Sequence, residues 1–384
     1  MMSLYVLKFG GSSVATLARI KHVAEIITEF VKKGNRVAVV TSAMYGVTNH
    51  LIDLTKSFSD SSFNREYDAV ISAGEQIAAG LLAMCLNSVN VRAKSMNAWQ
   101  IPIEVTGEFS NAEISNINTE PIMEEIDKGI VPVITGFQGI SRLGDIHTIG
   151  RGGSDATACF VSSAIKADEC FIYTDVDGVY SADPRVVLSS KKIPEISYDE
   201  MVELASFGSK VLQAKSALIA KQCEVNLRIL SSFSIGEGTR ITKKTEYVSK
   251  YNIAGIAHNS NMFLIKFENG NIHKKVFEKT KQFNPIALET GSLLFNKLFQ
   301  NEIKAILSLL PHSSGFDNDI GVVTMIGKEV SKDDSIIEFI RLEIEKKHIN
   351  LKELSSSGMS VSFVVPFQQT EFFINLLHQC LFER

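Results

Sequence analysis

Residues able to bind a phosphorylated ligand concentrate in three loops of this sequence. The first, residues 8–13, reads Lys-Phe-Gly-Gly-Ser-Ser and follows an apolar run. Glycines leave backbone amides accessible, so these amides and the N-terminus of a following helix could bind a phosphate, while Lys8 would add a positive charge. The spacing is neither a Walker A loop nor a GxGxxG fingerprint. A structural turn is the alternative interpretation of Gly10 and Gly11.

The second loop, residues 148–155, combines three glycines with an arginine and an acid in the order Thr-Ile-Gly-Arg-Gly-Gly-Ser-Asp. The guanidinium of Arg151 could bind a carboxylate through two hydrogen bonds, and Asp155 could orient a lysine or neighbouring polar groups. The alternative is a glycine-rich turn capped by Ser154 or Asp155.

The third segment, residues 173–185, is rich in acids and begins where an apolar run ends. In α/β sheets, nucleotides commonly bind at this end of a strand. The segment does not fit an EF-hand, because Gly178 is misplaced and the last ligand position lacks a glutamate.

A parallel sheet would position these loops. Residues 4–240 alternate short β-branched runs with longer helical stretches, which is typical of parallel strands joined by crossover helices. Strands are predicted at 4–9, 37–41, 131–135, 169–174 and 225–230. Apolar residues at helical spacing predict a helix over 17–32 that stops at Gly34.

From about residue 250 glycines become rarer and short predicted strands flank amphipathic helices, so we expect a domain boundary near 245–252. Strands at 320–325 and 358–366 with helices at 333–347 and 370–380 fit a small βαββαβ module. A weaker copy of this order spans 253–310, through a strand at 263–267 and a helix at 272–282. A length of 384 residues suits two or three such domains.

Composition narrows the possible partners and the cellular location. A net charge of −4 gives no general attraction to nucleic acid or anionic lipid. The five cysteines are scattered and odd in number, which suits reduced thiols, and the histidines have no partners at metal-ligand spacing. No signal peptide and no apolar run of about 18 residues is recognisable. We expect a cytoplasmic protein without nucleic-acid or membrane partners.

The three loops, in this order and at these distances, resemble the aspartate kinase branch of the amino acid kinase family. Shorter segments also match, at 42–44 with 48–49, 72–75, 136–139, 197–201 and 207–212. The C-terminal part resembles the tandem ACT domains of that family, most clearly at 362–366. The resemblance implies an α/β fold: a three-layer αβα kinase domain with a mainly parallel sheet at 1–248. Two small ferredoxin-like modules would follow, a degenerate ACT-like one at 252–315 and a second ACT module at 316–384.

The resemblance also implies a function. An aspartate kinase uses ATP and Mg²⁺ to convert the β-carboxylate of L-aspartate to 4-phospho-L-aspartate, the first step towards lysine, diaminopimelate, threonine and methionine. Mg²⁺ would be carried by the ATP phosphates, and the chain would form a homodimer through its ACT-like modules, with a tetramer as the alternative. Two other functions stay open: another amino acid kinase, acting on glutamate or acetylglutamate, and a catalytically silent ACT-containing regulatory subunit.

Site residues follow from the matching positions of the family. Phosphate contacts are expected from Lys8, Gly10, Gly11 and Ser12, and nucleotide contacts from Thr174, Asp175, Tyr180, Arg185, Lys210 and Val211. Aspartate would contact Thr48, Glu75 and Arg151. Lys8, Asp155 and Lys210 would be catalytic. The chain departs from the family pattern at Gln213-Ala214, where His-Pro usually follows Lys-Val-Leu.

The reaction chemistry suits these residues. An aspartate carboxylate has a pKa of about 3.9 and is ionised at neutral pH, so the reaction needs no general base. The difficulty lies in bringing one anion to another, which calls for cations and amides around the transferred group. Lys8, Lys210, the glycine amides and Mg²⁺ would supply them. Glu75 suits the α-ammonium of aspartate, and Arg151 suits its α-carboxylate.

Overall fold

Two compact units make up the chain. The computed structural model describes residues 2–58, 64–249, 251–267, 274–283, 285–288, 290–308 and 313–383. The first unit contains Met1–Val179, Pro194–Val202 and Val211–Thr245, and the second contains Tyr180–Ile193, Glu203–Lys210 and Glu246–Arg384. Three segments that the sequence placed in one domain over 1–248 therefore group with the second unit, namely 180–193, 203–210 and 246–248. A physical reason is that Ala182 and Val187 are buried in the apolar core of that unit.

The elements up to residue 242 alternate between strands and helices. In chain order they are β1 (Leu4–Phe9), α1 (Leu17–Lys32), β2 (Arg36–Thr41), α2 (Val47–Lys56), α3 (Arg65–Ile71), α4 (Ala73–Ser88), β3 (Ala93–Met96), β4 (Ile103–Thr106), β5 (Glu113–Ile117), α5 (Glu120–Asp127), β6 (Val131–Thr135), β7 (Gln138–Ile140), β8 (Ile146–Thr148), α6 (Gly153–Ala164), β9 (Glu169–Thr174), β10 (Glu195–Ser197), α7 (Tyr198–Ser206), α8 (Ala214–Gln222), β11 (Leu227–Ser231) and β12 (Thr239–Thr242).

Eight strands form the main sheet of the first unit, in the order β10-β12-β11-β9-β1-β2-β6-β3. All neighbouring pairs are parallel except the antiparallel pair of β11 and β12. A mainly parallel sheet is thus confirmed. Strands β1, β6 and β9 and helix α1 have the predicted bounds, whereas β2 begins one residue earlier than predicted and β11 two residues later.

Helices cover both faces of this sheet. On one face, alternate strand residues such as Leu7 and Phe9 share a core with Ile20 and Val23 of α1 and Leu82 of α4. On the other face, α6 contacts β1, β2 and β9, and α8 packs against α6. The three-layer αβα arrangement is therefore confirmed. A smaller sheet of order β5-β4-β7-β8 also belongs to this unit.

One helical stretch meets the length and composition criteria for a membrane span. It runs over Arg65–Ser88, through α3 and α4. Its residues Ala79, Leu82 and Leu86 pack in the core of the first unit. Core helices with apolar side chains all around meet the same criteria.

The second unit contains two four-stranded sheets. Its elements after residue 245 are β13 (Ile253–Asn259), β14 (Met262–Phe267), α9 (Lys274–Thr280), β15 (Ile286–Ala287), β16 (Leu293–Asn296), α10 (Gln300–Ser308), β17 (Ser313–Asp317), β18 (Gly321–Gly327), α11 (Asp334–Lys346), β19 (Glu353–Ser357), β20 (Ser360–Val365) and α12 (Thr370–His378). The sheet orders are β15-β16-β14-β17 and β13-β18-β20-β19.

Strand pairing corrects the boundaries of the two small modules. Strand β13, placed by the sequence in a module over 252–315, pairs with β18 of the module over 316–384. The segment from β18 to α12 supplies three strands of its sheet and ends in a helix, so β13 covers the otherwise unpaired edge of β18. The run from β14 to β17 is a βαββαβ unit between these two strands. Residues 268–273 lie outside the described residues. They include most of segment 266–271, which the resemblance places at the effector loop of family members controlled by lysine or threonine.

Candidate active site

A cleft of about 770 Å³ lies in the first unit. Its walls include residues that follow β2, β6 and β8, close to the carboxyl ends of those strands. This is the edge at which ligands bind in parallel α/β sheets. Six of the expected site residues line the cleft: Lys8, Gly11, Thr48, Glu75, Arg151 and Asp155.

A buried ion pair joins the first two loops. Lys8 projects from β1 towards α6, because alternation along the strand turns Leu7 and Phe9 to the opposite face. Its Nζ lies 2.5 Å from Oδ1 of Asp155, and the two side chains are only 9% and 13% exposed. Asp155 lies in the first turn of α6. The pair holds a cation at the end of β1 and connects two loops that are remote in sequence.

The Gly10-Gly11 turn differs in one respect from the expectation. Helix α1 begins only at Leu17 and is capped by Thr16, so its N-terminus does not follow the glycines directly. The amides of Ser13 and Val14 instead turn back to the carbonyl oxygen of Gly10. Within the described ranges, the amides of Gly11 and Ser12 donate to no protein acceptor. Bare amides beside Lys8 are therefore present, but without a helix terminus behind them.

The second loop does place a helix N-terminus at the cleft. Gly150 and Gly152 have φ angles of +79° and +74°, which favour glycine, and α6 starts at the next residue, Gly153. The N-cap is Gly152 and no side chain caps the helix, so the alternative of a turn capped by Ser154 or Asp155 is wrong. Among the described residues, the amide of Gly153 donates to the carbonyl oxygen of Gly150, whereas the amides of Ser154 and Asp155 donate to no protein acceptor and remain available to an anion.

Arg151 lies between these two glycines and is exposed at the cleft. Its guanidinium has no ion-pair partner in the part of the chain that the structure describes. A free guanidinium beside unbonded amides can bind a carboxylate or a phosphate.

Glu75 places a carboxyl group deep in the cleft, at the first turn of α4 and 3% exposed. The amide of Ala43 donates to Oε1 at 3.0 Å, whereas Oε2 is buried and has no hydrogen-bond partner among the described residues. Burial raises the pKa of Glu75 to about 7, against the opposing effect of the Ala43 amide and of the positive charge on Lys8. A cationic group entering the cleft could pair with Oε2 and favour the ionised form.

The expected nucleotide contacts in the first unit do not line the cleft. Thr174 ends β9, the strand beside β1, and its hydroxyl donates to Oδ1 of Asp175 at 3.0 Å. The amide of Gly10 donates to the carbonyl oxygen of Tyr173, so these residues share the carboxyl edge of the sheet with Lys8. Ser12 and Val211 also belong to the first unit but lie outside the cleft lining.

Three further expected contacts belong to the second unit: Tyr180, Arg185 and Lys210. The guanidinium of Arg185 pairs with Asp183, with Nη2 at 2.7 Å from Oδ2. Lys210 is exposed. Their contribution to a nucleotide site stays a prediction.

Several cleft residues were not predicted from the sequence, among them Tyr67, Ser110, Phe137 and Gln213. Phe137 stands in the segment 136–139 that the motif comparison had already selected, and Gln213 is the position at which the chain departs from the family pattern. A second signal is a polar stripe on an otherwise apolar helical stretch. Asp68, Ser72 and Glu75 recur at spacings of four and three and are all buried, which indicates a functional or hydrogen-bonded face.

Comparisons with known proteins show the family of the chain. A sequence model described as "Amino acid kinase family" matches residues 3–231, more than half of the chain. The chain therefore belongs to the amino acid kinase family.

Relatives at full length narrow the assignment. An aspartokinase of Rickettsia bellii is 36% identical over 388 residues, covering 96% of both chains. An aspartate kinase of Stutzerimonas stutzeri is 36% identical over 398 residues, covering 98% of this chain and 97% of the relative. Within the family, the chain stands with the aspartokinases and is a kinase.

A solved structure shares the whole fold. Aspartokinase III of E. coli, in complex with aspartate and ADP, superimposes with a TM-score of 0.80 at 24% identity, over 98% of this chain and 99% of that one. The likeness confirms the α/β architecture of the first unit and the small antiparallel sheets of the second.

Proposed function

We propose that this aspartokinase transfers the γ-phosphoryl group of ATP to the β-carboxylate of L-aspartate. The observation that carries the proposal is the charge arrangement of one cleft, in which Lys8, the buried carboxyl of Glu75 and the free guanidinium of Arg151 face the same space. The names of the full-length relatives support the choice of substrate. The aspartate and ADP in the E. coli structure support the pair of substrates.

The transfer needs positive charge more than proton transfer. A β-carboxylate oxygen attacks the γ-phosphorus, the new O–P bond forms as the bond to the bridging oxygen breaks, and ADP leaves with the electron pair. Since the attacking carboxylate is already ionised, the residues have to stabilise negative charge on the transferred group. Lys8 is held for this task by Asp155, and the amides of Gly11 and Ser12 add uncharged donors.

Recognition of aspartate requires opposite charges at its other end. Glu75 would accept its α-ammonium through Oε2, and Arg151 would bind its α-carboxylate through two hydrogen bonds. Thr48, in the first turn of α2, lines the same cleft and would add a hydroxyl contact. Because the α-groups are fixed at one end, the length of the substrate decides whether its side-chain carboxylate reaches the phosphate.

Mg²⁺ carried by the phosphates of ATP remains part of the proposal. Mg²⁺ in phosphoryl-transfer sites is typically bound by one or two carboxylates together with substrate phosphates and water. When bound with ATP, it would neutralise charge on the phosphates.

We extend the proposal to assembly, location and pathway. The βαββαβ order from β14 to β17 supports an ACT-like module, and pairing of such modules would form a homodimer. The proposed protein is cytoplasmic and acts at the start of the lysine, threonine and methionine branch.

A coupled ADP-release assay on the purified protein tests the function. Aspartate, glutamate and acetylglutamate are compared at equal concentration with ATP and Mg²⁺, and Lys8→Ala serves as the control for contaminating kinases. We expect ADP release with aspartate but not with glutamate or acetylglutamate. Faster release with glutamate or acetylglutamate would assign another amino acid kinase activity, and no release with any acid would favour the silent regulatory subunit.

A further inference from the structure

We propose that Asp68 is a positioning residue for the carboxylate-substrate side of the cleft. It would set the distance between Glu75 and Arg151, and so the affinity for the acceptor acid, without contacting that acid itself. The inference rests on the proposed function in assigning this side of the cleft to aspartate.

Asp68 is a fully buried carboxylate that bonds to two loops at once. Its Oδ2 accepts the amides of Ser110 at 2.8 Å and Thr148 at 2.6 Å. Its Oδ1 accepts the hydroxyls of the same two residues, at 2.6 Å and 3.0 Å. Ser110 and Thr148 both line the cleft, whereas Asp68 itself does not. One side chain thus holds two walls of the site.

The loop around Ser110 needs such support. Ser110 has a φ of +64°, a conformation that costs free energy in a residue other than glycine. Bonds from Asp68 to both its amide and its hydroxyl oppose relaxation of this strain. The amide of Ala112 then donates to the carbonyl oxygen of Thr148 at 3.0 Å, which ties this loop to the one that carries Arg151.

A second group holds the same two loops from another element. Nζ of Lys215, on α8, lies 3.2 Å from the carbonyl oxygen of Ile149 and 3.4 Å from that of Ala112. Burial lowers the pKa of Lys215, and the nearby charge of Glu113 opposes that effect. The two loops are therefore bound through their amides by Asp68 and through their carbonyl groups by Lys215. Gly150 and Arg151 follow directly on this held segment.

The helical position of Asp68 explains why it can control the substrate site. Asp68 and Glu75 are seven residues apart in the helical stretch Arg65–Ser88 and so lie on one face of it. Glu75 projects into the cleft from the same face that holds the Ser110 and Thr148 loops. Movement of these loops away from Asp68 would move Arg151 relative to Glu75. In the described residues, the side-chain hydrogen bonds of Asp68 go to Ser110 and Thr148, and none goes to the nucleotide side at the end of β9.

Two substitutions at this position separate hydrogen bonding from charge. In Asp68→Asn the amide oxygen can still accept both backbone amides, and the amide nitrogen can donate to both hydroxyls after these rotate. In Asp68→Ala all four bonds are lost. We therefore expect KM for the acceptor acid to rise about tenfold or more in Asp68→Ala and to stay within about threefold of wild type in Asp68→Asn. KM for ATP should change by less than about twofold in both.

Glu200→Ala is the matched control. Glu200 is a buried carboxylate of the same unit that accepts the hydroxyls of Ser197 and Thr245, and it does not line the cleft. Its loss should lower the melting temperature without changing either KM. Thr148→Val removes a single hydroxyl bond while keeping the shape of the side chain, so it provides a milder variant if Asp68→Ala does not fold. We expect it to raise KM for the acid about two- to fivefold.

The acceptor acid is identified first with the wild-type enzyme, and all values of KM refer to that acid. A change of acid would therefore refute the proposed function and leave the test of Asp68 valid. Equal rises in KM for the acid and for ATP in Asp68→Ala would overturn the positioning role. So would an Asp68→Asn variant as impaired as Asp68→Ala, because the negative charge would then be what matters. Unchanged KM for the acid in both Asp68→Ala and Thr148→Val would also overturn it.

Discussion

Replacement of Glu75 by glutamine should make the unliganded protein more stable and less active. Burial raises the pKa of this carboxyl from its ordinary value of 4.5 to about 7. Below pH 4.5 the group is protonated in both the folded and the unfolded chain, so it costs no stability there. As the pH rises towards 7, the unfolded chain ionises first, and the folded state loses stability relative to it.

The size of this effect follows from the two pKa values. At 1.36 kcal/mol for each pH unit, the difference between 4.5 and about 7 corresponds to a loss of about 3 kcal/mol above pH 8. Glutamine keeps the volume of the side chain and can still accept the amide of Ala43 through Oε1. It cannot ionise, so Glu75→Gln should escape the loss. Without the charge it should also bind the α-ammonium of aspartate poorly, and kcat/KM for aspartate should fall about 10²-fold or more.

Denaturant unfolding of the unliganded protein between pH 4 and pH 9 measures the stability difference. We expect wild type and Glu75→Gln to coincide near pH 4 and to separate by about 3 kcal/mol above pH 8, with the variant more stable. Saturating aspartate should stabilise the wild type much more than the variant. Glu125→Gln is a control in which the change in stability should have the opposite sign. Lys94 lowers the pKa of Glu125, so the ionised carboxylate stabilises the folded protein and its removal should destabilise the protein at high pH.

Two results would refute this reasoning separately. If Glu75→Gln were no more stable than wild type above pH 8, the carboxyl would not be held near neutrality by burial. If KM for aspartate were unchanged in the variant, Glu75 would not bind the α-ammonium, whatever its effect on stability.

Three further predictions concern the proposed reaction and its inhibition by amino acids. Lys8→Ala should lower kcat by about 10² to 10³, because a charge contact to the transferred group is lost, and near wild-type turnover in a folded variant would exclude that role. Arg151→Ala should raise KM for aspartate far more than KM for ATP, and Arg151→Lys should restore KM for aspartate poorly. Equal rises in both KM values would show that Arg151 contacts the phosphates of ATP and not the α-carboxylate of aspartate. Lysine and threonine should inhibit weakly or not at all, since residues 290–295 only loosely resemble the corresponding segment of family members that these amino acids control. An effector site of about 1 mM affinity is worth only about 4 kcal/mol, so the loss of one or two contacts could remove the inhibition. Half-inhibition by either at clearly submillimolar concentration, in a steady-state titration with aspartate near KM, would contradict this.

Much of the first unit could be predicted from the sequence, because its signals are local. A central strand of a parallel sheet is buried on both faces, so short apolar runs such as 4–9 and 169–174 mark their own bounds. Glycines at left-handed positions, Gly150 and Gly152, mark a loop that lines the cleft. The motif segments likewise identified Lys8, Glu75 and Arg151 before their positions in space were known.

Only the tertiary structure decided which of these residues meet. The pairing of Lys8 with Asp155 depends on the packing of α6 against β1, and the bonds of Asp68 reach across 80 residues to Thr148. Strands β13 and β18 pair although a βαββαβ unit lies between them in the chain, and the sequence of neither strand indicates this partner. Periodicity reports only the environment of each segment, whereas the choice among possible partners depends on long-range packing. The raised pKa of Glu75 has the same origin, since burial belongs to the assembled fold and not to the residue.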